Sequence, residues 1–258
     1  MNTALKNIAR VGYISKGLVY GITGILTFLA AFHLGGKKAG KMEVIKFLDE
    51  QPFGAFLIIL LAAGVLCYAI WRFKQAFSDT EHKGKNAKGK FTRVGYFISG
   101  LLYLGLAVAA FLHVLGSGGS SSDSTKSSFL ATETGLVLIA IAGVALVASG
   151  IRQFIKVYNK KFLEEFDLSS LSDENSRKSI VASARFGLAA RGVIFLITGF
   201  FAVKAALDAN PDEIKSTKEV FSFIEEAEYG AWLLGTVAAG LVAYAFHMFL
   251  VARYRKFS

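Results

Sequence analysis

The chain has 258 residues, 53% of them hydrophobic and 19% charged, with a formal net charge of +10. The charges fall in blocks between long uncharged runs, whereas a soluble domain spreads about 25% charge over its surface; the pattern calls for a bilayer. The basic excess flanks the apolar runs and no basic module stands clear of them, so no nucleic-acid partner is expected. Cys67 is the single cysteine, which excludes an intramolecular disulfide and any zinc spacing.

Six segments reach the roughly 20 apolar residues that a transmembrane helix requires. The first, Ile14–Leu34, follows Lys6, Arg10 and Lys16. It lacks a small-x-small cleavage site and recurs later in the chain, so it reads as a retained helix and not a signal peptide. A short periodic segment, Met42–Leu48, comes next, with Val44, Phe47 and Leu48 on one face, as expected of an amphipathic helix lying at an interface. The second span is Phe53–Trp71, followed by the basic stretch from Arg72 to Arg93, whose part Lys83–Lys90 reads as mobile.

The third span is Val94–Leu115, and Ser117–Ser122 after it reads as a flexible linker. The fourth is Thr134–Ile151 and the fifth Phe186–Leu207. The fifth carries Arg191 and Lys204 near its ends, where long side chains can snorkel. Asp208 stands at i+4 from Lys204, ready to pair with it. A second amphipathic segment, Lys218–Ile224 with Val220, Phe223 and Ile224 on one face, precedes the sixth span, Tyr229–Ala252.

Of the 29 basic residues, 21 lie on the side of the termini and of the loops after the second and fourth spans. The other side holds 12 of the 19 acidic residues. The positive-inside rule therefore expects both termini in the cytoplasm and the protein in the cytoplasmic (inner) membrane as a multi-pass protein.

The chain repeats itself. Arg10-Val-Gly12-Tyr13 opens the first span, Arg93-Val-Gly95-Tyr96 the third and Arg185-Phe-Gly187-Leu188 the fifth, each with a glycine five residues after the first (Gly17, Gly100, Gly192). The even spans match best between the outer copies: Phe53-Gly54-Ala55 precedes Gly64 and Tyr68, and Tyr229-Gly230-Ala231 precedes Gly240 and Tyr244. The middle copy keeps Gly135, Gly143 and Arg152 but lacks the tyrosine. Each unit crosses twice, so the repeats are parallel (residues 1–82, 83–165 and 166–258). The expected fold is an all-α membrane protein of six transmembrane helices, three parallel two-helix repeats closed into a pseudo-three-fold bundle.

This triplicated Arg-x-Gly-Tyr/Leu opening, with the later Gly-Ala and Gly-x-x-x-Tyr of the even spans, resembles a bacterial membrane family described as domain of unknown function 1206. The resemblance runs from Asn7 to Arg253. It implies three two-helix units in a bacterial cytoplasmic membrane and brings no activity with it.

The recurring residues are the site candidates. Arg10, Arg93 and Arg185, with Lys16, Arg191, Arg72 and Arg152, stand at the inner mouths, where basic side chains anchor a helix by binding lipid phosphate. The sharper alternative is a guanidinium ring that recognises an anion or gates a path. Gly17, Gly24, Gly100, Gly192 and Gly199 suit close helix packing. Tyr20, Tyr103, Tyr68 and Tyr244 lie deeper than an aromatic belt and suit hydroxyl bonds to neighbouring helices.

No span holds a mid-depth carboxylate or a proline break, which counts against an ion-coupled carrier. Enzyme signatures are absent as well. His33, His113 and His247 do not occupy equivalent repeat positions, so neither haem nor any other cofactor is expected. The expectation is a non-enzymatic structural or lipid-associated component with membrane lipids as partners and room for a homo-oligomer or another membrane protein. The alternative is a channel or carrier for a small solute or anion along the three-fold axis.

Overall fold

The computed structural model describes residues 2–78, 80, 86–116, 132–160, 162–163, 166, 174–210 and 213–255. Among them are eight helices: α1 (Thr3–Ala31), α2 (Lys41–Asp49), α3 (Gly54–Ser78), α4 (Ala87–Val114), α5 (Glu133–Tyr158), α6 (Glu174–Leu207), α7 (Thr217–Glu225) and α8 (Gly230–Tyr254). Six are long and apolar enough to cross a membrane, and they correspond to the six expected spans. The Ser117–Ser122 linker and residues 83–85 lie outside the described residues. Residues 87–90 form the first turn of α4, which Asn86 caps, its side-chain oxygen accepting from Gly89 N at 2.8 Å.

The two short helices pack against α3 and α8, the long helices that follow them. On α2 the buried residues are Val44 and Ile45, and on α7 they are Val220, Phe221 and Ile224, while Phe223 is exposed. The expected faces hold at Val44 with Leu48 and at Val220 with Ile224, while Ile45 and Phe221 take the buried places expected of Phe47 and Phe223. Each helix is started by a carboxylate reaching back: Glu43 accepts from Gly40 N at 2.9 Å, and Glu219 from Ser216 N at 2.5 Å.

The Phe53-Gly54 and Tyr229-Gly230 pairs make the turns from these short helices into α3 and α8. Both aromatic residues are left-handed, with φ of 60° and 68°. The following glycine lies directly on the end of the short helix: a Cβ at Gly54 would stand 2.6 Å from Asp49 O, and one at Gly230 1.9 Å from Glu225 O. Only a residue without a side chain allows this approach.

The long helices pack in the order α4, α3, α1, α8, α6, α5. Three of these contacts join a first helix to the second helix of the preceding repeat, taken cyclically: α1 with α8, α4 with α3, and α6 with α5. They are built alike. Cβ atoms at Gly17, Gly100 and Gly192 would stand 2.6, 2.8 and 2.7 Å from the rings of Phe249, Phe73 and Phe154. Gly24 and Gly199 approach the α8 and α5 backbones, with Ala238 O and Gly143 O each 2.8 Å from such a Cβ. Small residues bring the helices close enough for this dispersion contact, which substitutes for the hydrophobic drive that lipid does not supply.

Two further contacts lie within a repeat. Gly12 meets the backbone of Tyr68 across α1 and α3, and Gly187 that of Tyr244 across α6 and α8. The sixth contact of a closed ring would join α4 to α5, the two helices of the middle repeat. Among the described residues they form no packed interface. The bundle is thus a pseudo-three-fold ring with one open seam, and the seam lies in the divergent copy.

Candidate functional site: a basic cavity floored by tyrosines

On α1, Tyr13, Lys16 and Tyr20 fall at i, i+3 and i+7, which puts them on one helical face. That face points to the bundle axis, and all three are buried, Lys16 to 3% exposure. A charge taken out of water must be matched by donors and acceptors around it. Lys16 Nζ donates to Tyr68 Oη at 2.8 Å and lies 4.6 Å from the centre of that ring. In the third repeat, Arg191 stands where Lys16 does in the first. Its Nη1 donates to Tyr244 Oη at 2.6 Å, and the guanidinium lies 4.5 Å from the Tyr244 ring centre. Each cation of a first helix is therefore held by the phenol of its own second helix, through a charged hydrogen bond and the ring face.

The middle repeat has no such pair. Ser99 replaces the cation, and the equivalence of Phe154 with Phe73 and Phe249 places Ser149 at the tyrosine position. Ser149 Oγ donates to Ala145 O of its own helix at 2.7 Å. The site is consequently two-sided.

Below the cations, the rings lock together edge to face: Tyr68 with Tyr103 at 4.6 Å, Tyr20 with Tyr244 at 4.9 Å, and Tyr13 with Tyr68 at 5.5 Å. Tyr103 Oη is buried without a hydrogen-bond partner among the described residues, and so is Arg191 Nε. From the far end, Lys41 of α2 reaches to 4.9 Å from the Tyr103 ring centre. The tyrosines thus form a layer across the axis, with cations on both sides.

On the termini side of this layer is a cavity of about 120 Å³. Lys16, Arg72, Lys156, Arg191 and Arg255 line it, with His247, Tyr13, Tyr96, Gln153 and Tyr244. No Asp or Glu is among its described lining residues. Arg72 Nε donates to Tyr68 Oη at 2.7 Å and its Nη1 to Gln75 Oε1 at 2.9 Å. Arg255 Nη1 donates to Tyr13 Oη at 2.7 Å, as Trp71 Nε1 does at 3.1 Å. The chain after α5 closes one wall: Phe162 lines the cavity, Phe166 bridges to the Arg255 backbone, and His247 packs against both rings.

The remaining candidates lie elsewhere. Arg10, Arg152 and Arg185 are exposed and outside the cavity. Arg93 is spent on the end of α3, donating to Ala76 O at 2.6 Å and Phe77 O at 2.8 Å. Lys204 pairs with Asp208 at 3.3 Å and with Glu213 at 2.5 Å at the far end. His113 pairs there with Asp49 at 3.1 Å. No group of three His, Cys, Asp or Glu side chains fit to hold a metal occurs among the described residues.

Tyr13, Lys156, Arg255, Trp71 and Lys41 are not candidates from sequence, and His247 is weighed there only as a haem ligand. Only the i, i+3, i+7 spacing of Tyr13 with Lys16 and Tyr20 could have revealed one of them. The others come from separate elements that tertiary packing brings together.

The tandem architecture has its counterpart in known sequences. The family model described as Domain of Unknown Function (DUF1206) matches three segments of the chain, 11–79, 94–160 and 186–255. The chain belongs to this family. Each DUF1206 segment covers one pair of long helices, so the family unit is the two-helix repeat itself. An uncharacterised protein of Bacillus subtilis (strain 168), YxxB, is 29% identical over 255 residues, which cover 97% of this chain and 91% of that protein. No solved structure matches.

Proposed function

We propose that this DUF1206 protein sits in the bacterial cytoplasmic membrane with both termini inside, and that it binds an anionic group of the phosphate kind in the cavity at the cytoplasmic mouth. The role is lipid-associated or structural, not catalytic. The observation that carries this reading is the convergence of Lys16 and Arg191, one from each outer repeat, on a cavity lined by five basic side chains. A guanidinium presents a planar fork of donors to an oxyanion, while an ammonium adds a point charge. The space is well above the roughly 10–15 Å³ that one water needs, so a tetrahedral oxyanion fits with waters beside it.

The alternative of a channel or carrier draws support from the cations on either side of the tyrosine layer. Against it, that layer is packed edge to face and buried, and α2 closes the far end with Val44 and Ile45. Binding without passage is the better account.

The test uses Trp71, which touches Tyr13 at the cavity wall, as a reporter in a Trp232→Phe background. Titrating the protein in a neutral detergent with inorganic phosphate at constant ionic strength should change Trp71 emission saturably, while chloride should not. Lys16→Gln with Arg191→Gln should weaken binding at least tenfold. A response equal for chloride and phosphate, or untouched by the double substitution, rejects the reading.

A further inference from the structure

The open seam of the ring and the basic cavity meet. Tyr96 of α4 and Gln153 and Lys156 of α5 form part of the cavity wall, and these are the two helices that do not pack against each other. They are also the least buried of the six long helices. Helical phase turns exposed Leu102 of α4 and exposed Leu138 and Ile141 of α5 to the side on which the seam lies. An opening that is apolar along the membrane and basic at its mouth has the charge pattern of a single amphiphile.

We infer that the ligand of the cavity is the phosphate headgroup of an anionic phospholipid, which enters sideways through the seam between α4 and α5 and leaves its acyl chains there. This rests on the anion-binding reading above and names the molecule that carries the anion. A lipid phosphate can meet charged donors at about 2.7–2.9 Å without leaving the bilayer. A free phosphate would have to come from water and would leave the seam to bulk lipid.

The divergence of the middle repeat fits this use. With Ser99 and Ser149 in place of a cation and a phenol, that repeat lacks the side-chain pair that ties the first and third repeats shut. The seam is the side on which a two-tailed molecule can approach Lys16 and Arg191.

The experiment places a reporter at the junction, Tyr96→Trp, with Trp71→Phe and Trp232→Phe so that the introduced indole is the single one in the chain. The protein is held in nanodiscs of phosphatidylcholine containing a minor fraction of phosphatidylglycerol. Bromine is carried on the acyl chains of one lipid or the other. Brominated phosphatidylglycerol should quench the reporter indole at least five-fold more efficiently, per mole in the bilayer, than brominated phosphatidylcholine. That preference should fall to near unity in Lys16→Gln with Arg191→Gln. Should this double variant misfold, Gln153→Glu at the half-buried cavity edge serves as the second variant and should reduce the preference at least three-fold. Equal quenching by the two lipids, with saturable phosphate binding retained in detergent, overturns the lipid inference and leaves the anion site standing. Equal quenching with no phosphate binding overturns both.

Discussion

Replacing Tyr68 by phenylalanine removes one oxygen and keeps the ring. The oxygen accepts from Lys16 Nζ at 2.8 Å and from Arg72 Nε at 2.7 Å. The ring contacts with Tyr13 and Tyr103, and the Lys16 ammonium over the ring face, are unchanged. A hydrogen bond to a charged group contributes about 1.5–3 kcal/mol in soluble proteins, which would make two of them about 3–6 kcal/mol. Side-chain hydrogen bonds in a membrane protein average nearer 0.6 kcal/mol, with a maximum of about 1.7, because the unfolded state in the membrane also finds partners. Arg72 keeps Gln75, and the cavity admits water, so the lower scale governs and the expected loss is about 1–3 kcal/mol. Tyr103→Phe is the internal control, since its buried hydroxyl has no described partner; its removal should cost less than about 0.5 kcal/mol or stabilise. Thermal unfolding in detergent, followed by a thiol-reactive dye at the single cysteine, Cys67, measures both. If Tyr68→Phe is neutral, or if Tyr103→Phe costs as much, the assignment of the buried cations to phenol acceptors is wrong.

Other perturbations probe other levels of the structure. Gly24→Leu forces a Cβ to within 2.8 Å of Ala238 O and should separate α1 from α8 at a cost of about 1–3 kcal/mol or more, whereas Gly105→Leu enters open space and should be near neutral; the same dye assay ranks them. Ser216→Ala removes the cap of α7 and should cost that helix about 1 kcal/mol, read as faster amide exchange over residues 217–225. The Ser216 N–H bond holds the Glu219 carboxyl below its usual range, so its contribution is complete above the unfolded carboxylate pKa. That contribution fades as pH falls through the lower folded value, and exchange of α7 should quicken only below the ordinary carboxylate range. In a Cys67→Ser background, Ser120→Cys should react with an impermeant maleimide on intact cells, while Ser258→Cys should react only after permeabilisation.

The long helices were legible because hydrophobic length and loop charge act locally. The repeat told more than periodicity alone: Arg-x-Gly, with a glycine five residues later, marks the first helix of each copy, and Gly17, Gly100 and Gly192 do equivalent work against three phenylalanines. On α2 and α7 the buried face differs from the expected one at a single position each, since two turns of helix cannot choose between Phe47 and Ile45, or between Phe223 and Phe221, without the bundle to dock on. Lys16, Arg191 and Arg72 stood among the candidates, yet so did Arg10, Arg152 and Arg185, which the structure leaves exposed at the surface. Nothing in a basic residue's own neighbourhood says whether it faces the axis or the lipid. Helical phase does say so once a fixed point such as buried Tyr20 is known. Lys156 reaches the cavity from α5, and His247 and Arg255 from the end of α8, a juxtaposition that local pattern cannot encode.

The central claim is that Lys16 and Arg191 hold a phosphate-type anion on the tyrosine floor. An experimental map of the protein in nanodiscs containing phosphatidylglycerol tests it most directly. The account predicts tetrahedral density in the cavity within about 3 Å of both Lys16 Nζ and the Arg191 guanidinium. A well-resolved cavity that holds only water, with both side chains in the same positions, would contradict it.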